Sequence, residues 1–264
     1  MRAAISDSLA LSEKIVVITG AAGGIGFAMA QEFSRAGSTV IITSRNKTSA
    51  LKASELLSKK SIGLKLDITN KNDVVGFVEQ IRKDYERVDV LINNAGYAFL
   101  RKIWYKKLHM ISDRELEDIL QVDLIGSFRV SREIIKLMIC NGKGGIVINI
   151  SSTPALSGYS SGSPYSLAKA GVISLTKHIA LEYASDGIRA YSLVLGNIAT
   201  DATYKSLSVK ERTCAERENA MNRWGNPSEV ARVATCLASD SFSFATGNTI
   251  FIDGGPRINH RGYS

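Results

Sequence analysis

Apolar residues along this chain fall into short β-branched runs separated by longer stretches of helical spacing. The runs at residues 15–19, 39–43, 63–66, 88–92, 145–150, 190–194 and 249–252 are apolar at consecutive positions, as strands buried on both faces are. Between them lie amphipathic stretches near 25–36, 48–59, 71–85, 113–139, 165–185 and 227–238, which predict helices. Strand and helix alternate almost from end to end. That order predicts βαβ units with right-handed crossovers, and so an α/β fold: a Rossmann-type doubly wound parallel sheet of about seven strands flanked by helices. No Pro/Gly-rich linker, repeat or low-complexity segment divides the chain. A single domain is expected over 11–255, with an N-terminal extension at 1–10 and a tail at 256–264. Residues 200–222, rich in Lys, Glu, Arg and Thr, interrupt the alternation and predict a helical lid over the sheet edge.

Composition narrows the class without changing this picture. Of 264 residues, 45% are hydrophobic and 22% charged, ordinary for a soluble globular protein. The apolar runs are far too short to span a bilayer, and the N-terminus (Ser6, Asp7, Ser8, Ser12, Glu13) has no apolar signal-peptide core, so a cytoplasmic protein without a membrane partner is expected. Cys140, Cys214 and Cys236 are widely spaced and odd in number, and His109, His178 and His260 are isolated, which predicts reduced thiols and no metal site. The net charge of +8 asks for an anionic partner. Its densest basic stretch, Arg101, Lys102, Lys106 and Lys107 interleaved with Trp104 and Tyr105, lacks any accompanying nucleic-acid motif and reads as a solvated rim. A phosphorylated cofactor is the better match.

Such a cofactor has a place. Directly after the first strand come Thr19-Gly20-Ala21-Ala22-Gly23-Gly24-Ile25-Gly26, and a helical pattern begins at once. Glycines at a strand-to-helix turn let backbone approach a pyrophosphate, which the N–H groups and dipole of the helix then hold. At the end of the second strand, where an NAD site usually carries an acid, the chain reads Thr43-Ser44-Arg45-Asn46. Arg45 can pair with a 2′-phosphate and stack on adenine, and Ser44 removes the repulsive carboxylate, so NADP(H) is expected over NAD(H).

The candidate chemistry lies in the second half. Tyr165 and Lys169, four residues apart, share one face of a predicted helix, and Ser152 lies thirteen residues upstream of Tyr165. A phenol titrates near ~10 unperturbed. An ammonium ~4 Å away at an effective dielectric of ~20 favours the phenolate by roughly 4 kcal/mol before desolvation. Tyr165 thereby becomes a plausible proton donor and acceptor.

These residues together resemble the short-chain dehydrogenase/reductase family over about residues 11–255. Thr19–Gly26 is similar to its cofactor motif, so the resemblance assigns cofactor contacts to Gly20, Gly24, Ile25 and Gly26; Asp67 and Ile68 match the adenine site; Asn93-Asn94-Ala95-Gly96 matches the segment after the fourth strand, with Asn94, Ala95 and Gly96 beside the adenosine ribose; Ile198 and Thr200 match nicotinamide and phosphate contacts. Arg223-Trp224-Gly225-Asn226-Pro227 and Asp253-Gly254-Gly255 resemble its C-terminal signatures. The resemblance implies that Tyr165 exchanges the proton, Lys169 tunes it and holds the nicotinamide ribose, and Ser152 positions the substrate oxygen. Hydride passes between nicotinamide and substrate carbon.

Three departures stand out. The family's asparagine in the long central helix is Asp123 here, which can hold a water or pair with Lys169 and weaken its pull on Tyr165; an altered pH–rate profile is expected. The usual Pro-Gly after the sixth strand is Leu195-Gly196, and the asparagine three residues before it is Ser192. The stretch from Gly96 to Ser112 is longer than usual and would lie at the pocket mouth or on a subunit surface. Substrate contacts are expected from Ser152, Ala98, Tyr159 and Leu195, with Thr153 and Ala155 nearby.

The expected function is NADP(H)-dependent oxidoreduction of a carbonyl or secondary alcohol by a homo-oligomer, a tetramer or dimer built on the 113–139 and 165–185 helices. Alternatives are a 3-oxoacyl-[acyl-carrier-protein] reductase, favoured by the basic charge and Lys143 but opposed by Asp186, and a sugar or polyol dehydrogenase. A non-catalytic dinucleotide sensor is the reading from a different class.

Overall fold

The computed structural model describes residues 11–97 and 101–255. Among these, seven parallel strands form one sheet in the order β3-β2-β1-β4-β5-β6-β7. They are β1 (Ile15–Ile18), β2 (Thr39–Ser44), β3 (Ile62–Lys65), β4 (Val90–Asn93), β5 (Gly145–Ser152), β6 (Ile188–Leu195) and β7 (Asn248–Ile252). All seven predicted runs are strands. Along β1, Val16 and Ile18 enter one core while Ile15 and Val17 enter the other, because successive side chains point to opposite faces.

Helices cover both faces. On one side α1 (Gly24–Arg35), α2 (Lys47–Glu55) and the late helix Pro227–Leu237 bury Met29, Phe33, Ala50, Val230 and Leu237. On the other, α3 (Lys71–Tyr85), then α4 (Asp113–Leu120), whose Ile119 packs on Ala168, then α5 (Ser127–Asn141) and α6 (Ser163–Glu182) follow; α3, α5 and α6 bury Phe77, Ile81, Ile134, Met138 and Ile179. Two longer helices follow α6: α7 (Val209–Glu216) and α8, the Pro227–Leu237 helix already placed.

The structure departs from the sequence expectation at three places. The predicted helix 113–139 is not continuous: a π-helical turn, Gln121–Gly126, joins α4 to α5. Strand β5 outruns its apolar run, since Ser151 and Ser152 still pair with Val194 and Leu195 of β6. The 200–222 excursion resolves into a short helix, Asp201–Tyr204, and α7, each started by its own cap: Thr200 accepts from Thr203 N, and Ser208 and Glu211 form a capping box. The strand order reverses between β1 and β4, and there the carboxyl ends of the strands open a crevice. No described helix is long and apolar enough to cross a membrane.

Candidate active site

The glycine turn is fixed from beneath. Thr19 Oγ1 accepts the backbone N–H groups of Asn94 and Ala95, both at 3.0 Å, while Asn94 Nδ2 donates to the carbonyls of Thr19 and Gly20 at 3.0 and 3.1 Å. Asn94 thus holds the turn as well as bordering the cleft. A Cβ on Gly20, whose φ is +63°, would sit 2.7 Å from Ala95 Cα; one on Gly26 would sit 2.8 Å from Ala21 Cα. Helix α1 then starts with no side-chain cap and no acid in its first turn among the described residues. Its free N–H groups and uncrowded glycine turn fit the pyrophosphate of a dinucleotide. Thr200 lies over this turn, its Cγ2 3.5 Å from where a Gly24 Cβ would be.

The end expected to hold adenine is less enclosed. Asp67 accepts from Thr69 N and Oγ1 at 2.9 and 2.7 Å. Burial pushes its carboxyl up, but the Thr69 hydrogen bonds, with Arg45 and Lys65 nearby, outweigh this and hold it below the usual range. Arg45 is exposed beside it, and Ser44 Oγ accepts from Asn46 N at 3.3 Å. Ile68 packs so closely on the π turn that a Cβ at Gly126 would lie 2.7 Å from it.

A cleft of about 1050 Å³ brings Asp123, Ser152, Tyr165 and Lys169 together with Ile25, Asn94, Gly96, Ile198 and Thr200. Tyr165 and Lys169 occupy the first two turns of α6, on the stripe that continues through Ala168, Val172, Ile173 and Thr176 into the core. Lys169 Nζ donates to the Ile150 carbonyl at 3.2 Å and lies 5.6 Å from the centre of the Tyr165 ring. Ser151 Oγ donates to the Lys169 carbonyl at 2.9 Å, and Ser152 Oγ to the Leu195 carbonyl at 3.3 Å. Behind them Asn93 Nδ2 bridges Ser131 Oγ and Asn149 Oδ1, and Asn149 Nδ2 reaches Thr176 Oγ1 at 2.9 Å, tying β4 and β5 to α5 and α6.

Asp123 meets Lys169 directly. Its Oδ1 lies 2.9 Å from Nζ at an angle that makes this an ion pair rather than a well-directed hydrogen bond, and its Oδ2 accepts the Tyr97 N–H at 2.9 Å. Both side chains are buried, Asp123 completely. The π turn sets Asp123 at this depth, and a Cβ at Gly96 would lie 2.9 Å from its Oδ1. Burial pushes Lys169 toward its neutral form, but attraction by Asp123 and then by Tyr165 outweighs this and holds its pKa above the usual lysine value.

Of the predicted substrate contacts, Tyr159, Leu195 and Thr153 line the cleft, Ala155 does not, and Ala98 lies outside the described residues. Leu195 is buried as it lines the cleft. Sequence reasoning missed Trp104. Read as part of a solvated rim, it instead lines the cleft, while Tyr105 beside it is half exposed. Ile103, Trp104 and Tyr105 of the Gly96–Ser112 segment therefore line the cleft.

A chain with this order of glycine turn, Asn-Asn-Ala-Gly, Ser152, Tyr165 and Lys169 has many relatives. It is 37% identical over 255 residues to the uncharacterized oxidoreductase YxbG of Bacillus subtilis, covering 93% of this chain and 91% of the relative. It is 36% identical over 248 residues to the 3-oxoacyl-[acyl-carrier-protein] reductase FabG of Thermotoga maritima, covering 93% and 98%. The chain is a short-chain dehydrogenase/reductase. The FabG of Escherichia coli is 33% identical over 242 residues, covering 92% of this chain and 96% of its own. Residues 20–256 match the family model described as enoyl-(acyl carrier protein) reductase. A short-chain type dehydrogenase/reductase from Mycobacterium marinum superposes with a TM-score of 0.86 at 27% identity, covering 94% of this chain and 97% of its own. As a member of this family the protein is an oxidoreductase that acts between CH–OH and C=O groups with a nicotinamide cofactor.

Proposed function

We propose that this short-chain dehydrogenase/reductase is an NADP(H)-dependent carbonyl reductase or secondary-alcohol dehydrogenase whose proton passes through Tyr165. The observation that carries the reading is the convergence of Ser152, Tyr165 and Lys169 in the same cleft as the glycine turn. When bound, the nicotinamide supplies or accepts the hydride. The glycine turn and Thr200 would hold its phosphates, and Arg45, with no acid at position 44, the 2′-phosphate. Ser152 turns its hydroxyl from the Leu195 carbonyl to the substrate oxygen and fixes it for Tyr165. In reduction Tyr165 gives that oxygen its proton; in oxidation it takes the proton back. Lys169, anchored by Ile150 and Asp123, keeps a positive charge beside the phenol in both directions.

Following the absorbance of NADPH and of NADH over a panel of ketones and aldehydes, for wild type and Tyr165→Phe, tests this reading. Turnover with NADPH that Tyr165→Phe abolishes supports it. A wild type that binds NADPH and reduces nothing would favour a dinucleotide sensor. The printed function of the Thermotoga and Escherichia relatives favours a second reading, reduction of 3-oxoacyl groups on an acidic carrier. Lys143 is exposed as a docking residue would be, but Asp186 is exposed too and would repel the carrier. Carrier-bound and free 3-oxoacyl thioesters assayed side by side separate these readings. Exposed Phe128 on α5 and Leu167 and Leu181 on α6 support a homo-oligomer assembled on these helices. Sedimentation of the purified protein checks that.

A further inference from the structure

The proton and hydride chemistry leaves residues 103–106, ahead of α4, unused, yet they are firmly anchored. Ile103 is buried with Ile119 and Ala168. Lys106 Nζ contacts both carboxylate oxygens of Glu115, at 2.6 and 2.9 Å, and the Lys106 carbonyl accepts from Gly162 N at 3.0 Å. The Glu115 carboxyl is lowered to about 2, chiefly by the Lys106 hydrogen bond. Between these anchors the chain presents Trp104. Its indole lies 5.0 Å from the Tyr165 ring and 5.9 Å from the Tyr159 ring, tilted by 59° and 47°. Gly162, with φ +68°, brings the start of α6 so close that a Cβ there would lie 3.0 Å from the Trp104 carbonyl oxygen.

We propose that Trp104 is the specificity-determining residue of the cleft, forming with Tyr159 an aromatic wall that selects carbonyl substrates bearing an aryl ring next to the reacting carbon. The proposal rests on the carbonyl-reductase reading of the same cleft. The wall borders Tyr165, so a ring held against the indole places the carbonyl attached to it at the phenol. Tilted ring pairs at these separations are favourable beyond the area they bury. Ile103, Ile119, Leu156 and Leu195 give the cleft an apolar part of its lining. A flat apolar group gains from burial against them.

Acetophenone and 2-octanone, ketones of equal heavy-atom number, make the test. For wild type, Trp104→Ala, Trp104→Leu and Trp104→Phe, kcat/KM for each ketone is measured with NADPH. Binding of each ketone to the NADPH-loaded protein is measured by calorimetry, and melting temperatures confirm folding. Wild type prefers acetophenone. Alanine and leucine lower the aryl-to-alkyl ratio about fivefold, through KM and affinity, and phenylalanine keeps it within about twofold. An unchanged ratio with kcat falling equally for both ketones overturns the proposal, because Trp104 then only positions Tyr165. A wild type that reduces neither ketone but binds acetophenone in a Trp104-dependent way would sink the reductase reading and support the wall. Binding indifferent to residue 104 sinks the wall.

Discussion

Replacing Asp123 by asparagine keeps the side chain's size and removes its charge. One amide oxygen can accept from the Tyr97 N–H or from the Lys169 ammonium but not from both, and the amide NH₂ must face the donor left over. Removing one partner of a buried ion pair costs about 3–5 kcal/mol. The Ile150 carbonyl still accepts from Lys169, so the lower figure applies, about 3 kcal/mol. At about 2 °C per kcal/mol for a chain of this length, the melting temperature falls by about 6 °C. The same carboxylate lies 2.9 Å beyond an ammonium that is 5.6 Å from the Tyr165 ring. Its removal takes away an attraction that holds the Lys169 pKa above the usual lysine value, so the alkaline limb of the pH–rate profile moves acidward. Thermal melts at neutral pH and kcat/KM from about pH 6 to 10 measure both effects. A melting temperature within about 1 °C of wild type together with superimposable profiles would refute the reasoning, because the pair would then be carrying no charge.

Other perturbations test other parts. Tyr165→Phe lowers kcat by about 10²–10³ while leaving NADPH binding, followed by fluorescence, within about threefold of wild type. Arg45→Ala raises KM for NADPH about tenfold and leaves KM for NADH nearly unchanged, since only the 2′-phosphate loses a partner. Gly26→Ala drives a methyl within 2.5 Å of Asn94 Nδ2 and 2.8 Å of Ala21 Cα; the loss of about 2–3 kcal/mol shows as a melting temperature lowered by about 5 °C, with weakened NADPH binding. Glu229, held by Arg223 and the Asn226 N–H, has its carboxyl lowered to about 2. A carboxyl depressed on folding stabilises the fold above its unfolded value near ~4.5 and loses that contribution as pH falls toward 2, so Glu229→Gln flattens the acid limb of stability against pH in that window.

Much of the fold was legible because parallel strands buried on both faces leave continuous apolar runs, and all seven runs became strands. The glycine turn was legible for a related reason: backbone at Gly20 and Gly26 is too close to Ala95 and Ala21 for any side chain, so the demand falls on residue type. Ser151 and Ser152 were harder, because strand pairing with Val194 and Leu195 continues where apolar character stops. The Asp123–Lys169 contact was foreseen only as one option. Whether the two meet depends on the π turn, in which Gly126 lies close against Ile68, and periodicity does not announce such a turn. Trp104 was missed because its short segment has no period to read. Ile103 turns inward to meet Ile119 and Ala168, and that tertiary contact decides which way its neighbour points.

That segment divides its labour in a way that matters for descent. Ile103 and Lys106 hold the backbone, and Trp104 between them touches the cleft. Because the fastening and the contact belong to different residues, a single codon change at position 104 can redraw the cleft wall while its frame stays in place. Lineages that share this frame can diverge in diet without renegotiating their stability, and position 104 is where such divergence would first be written.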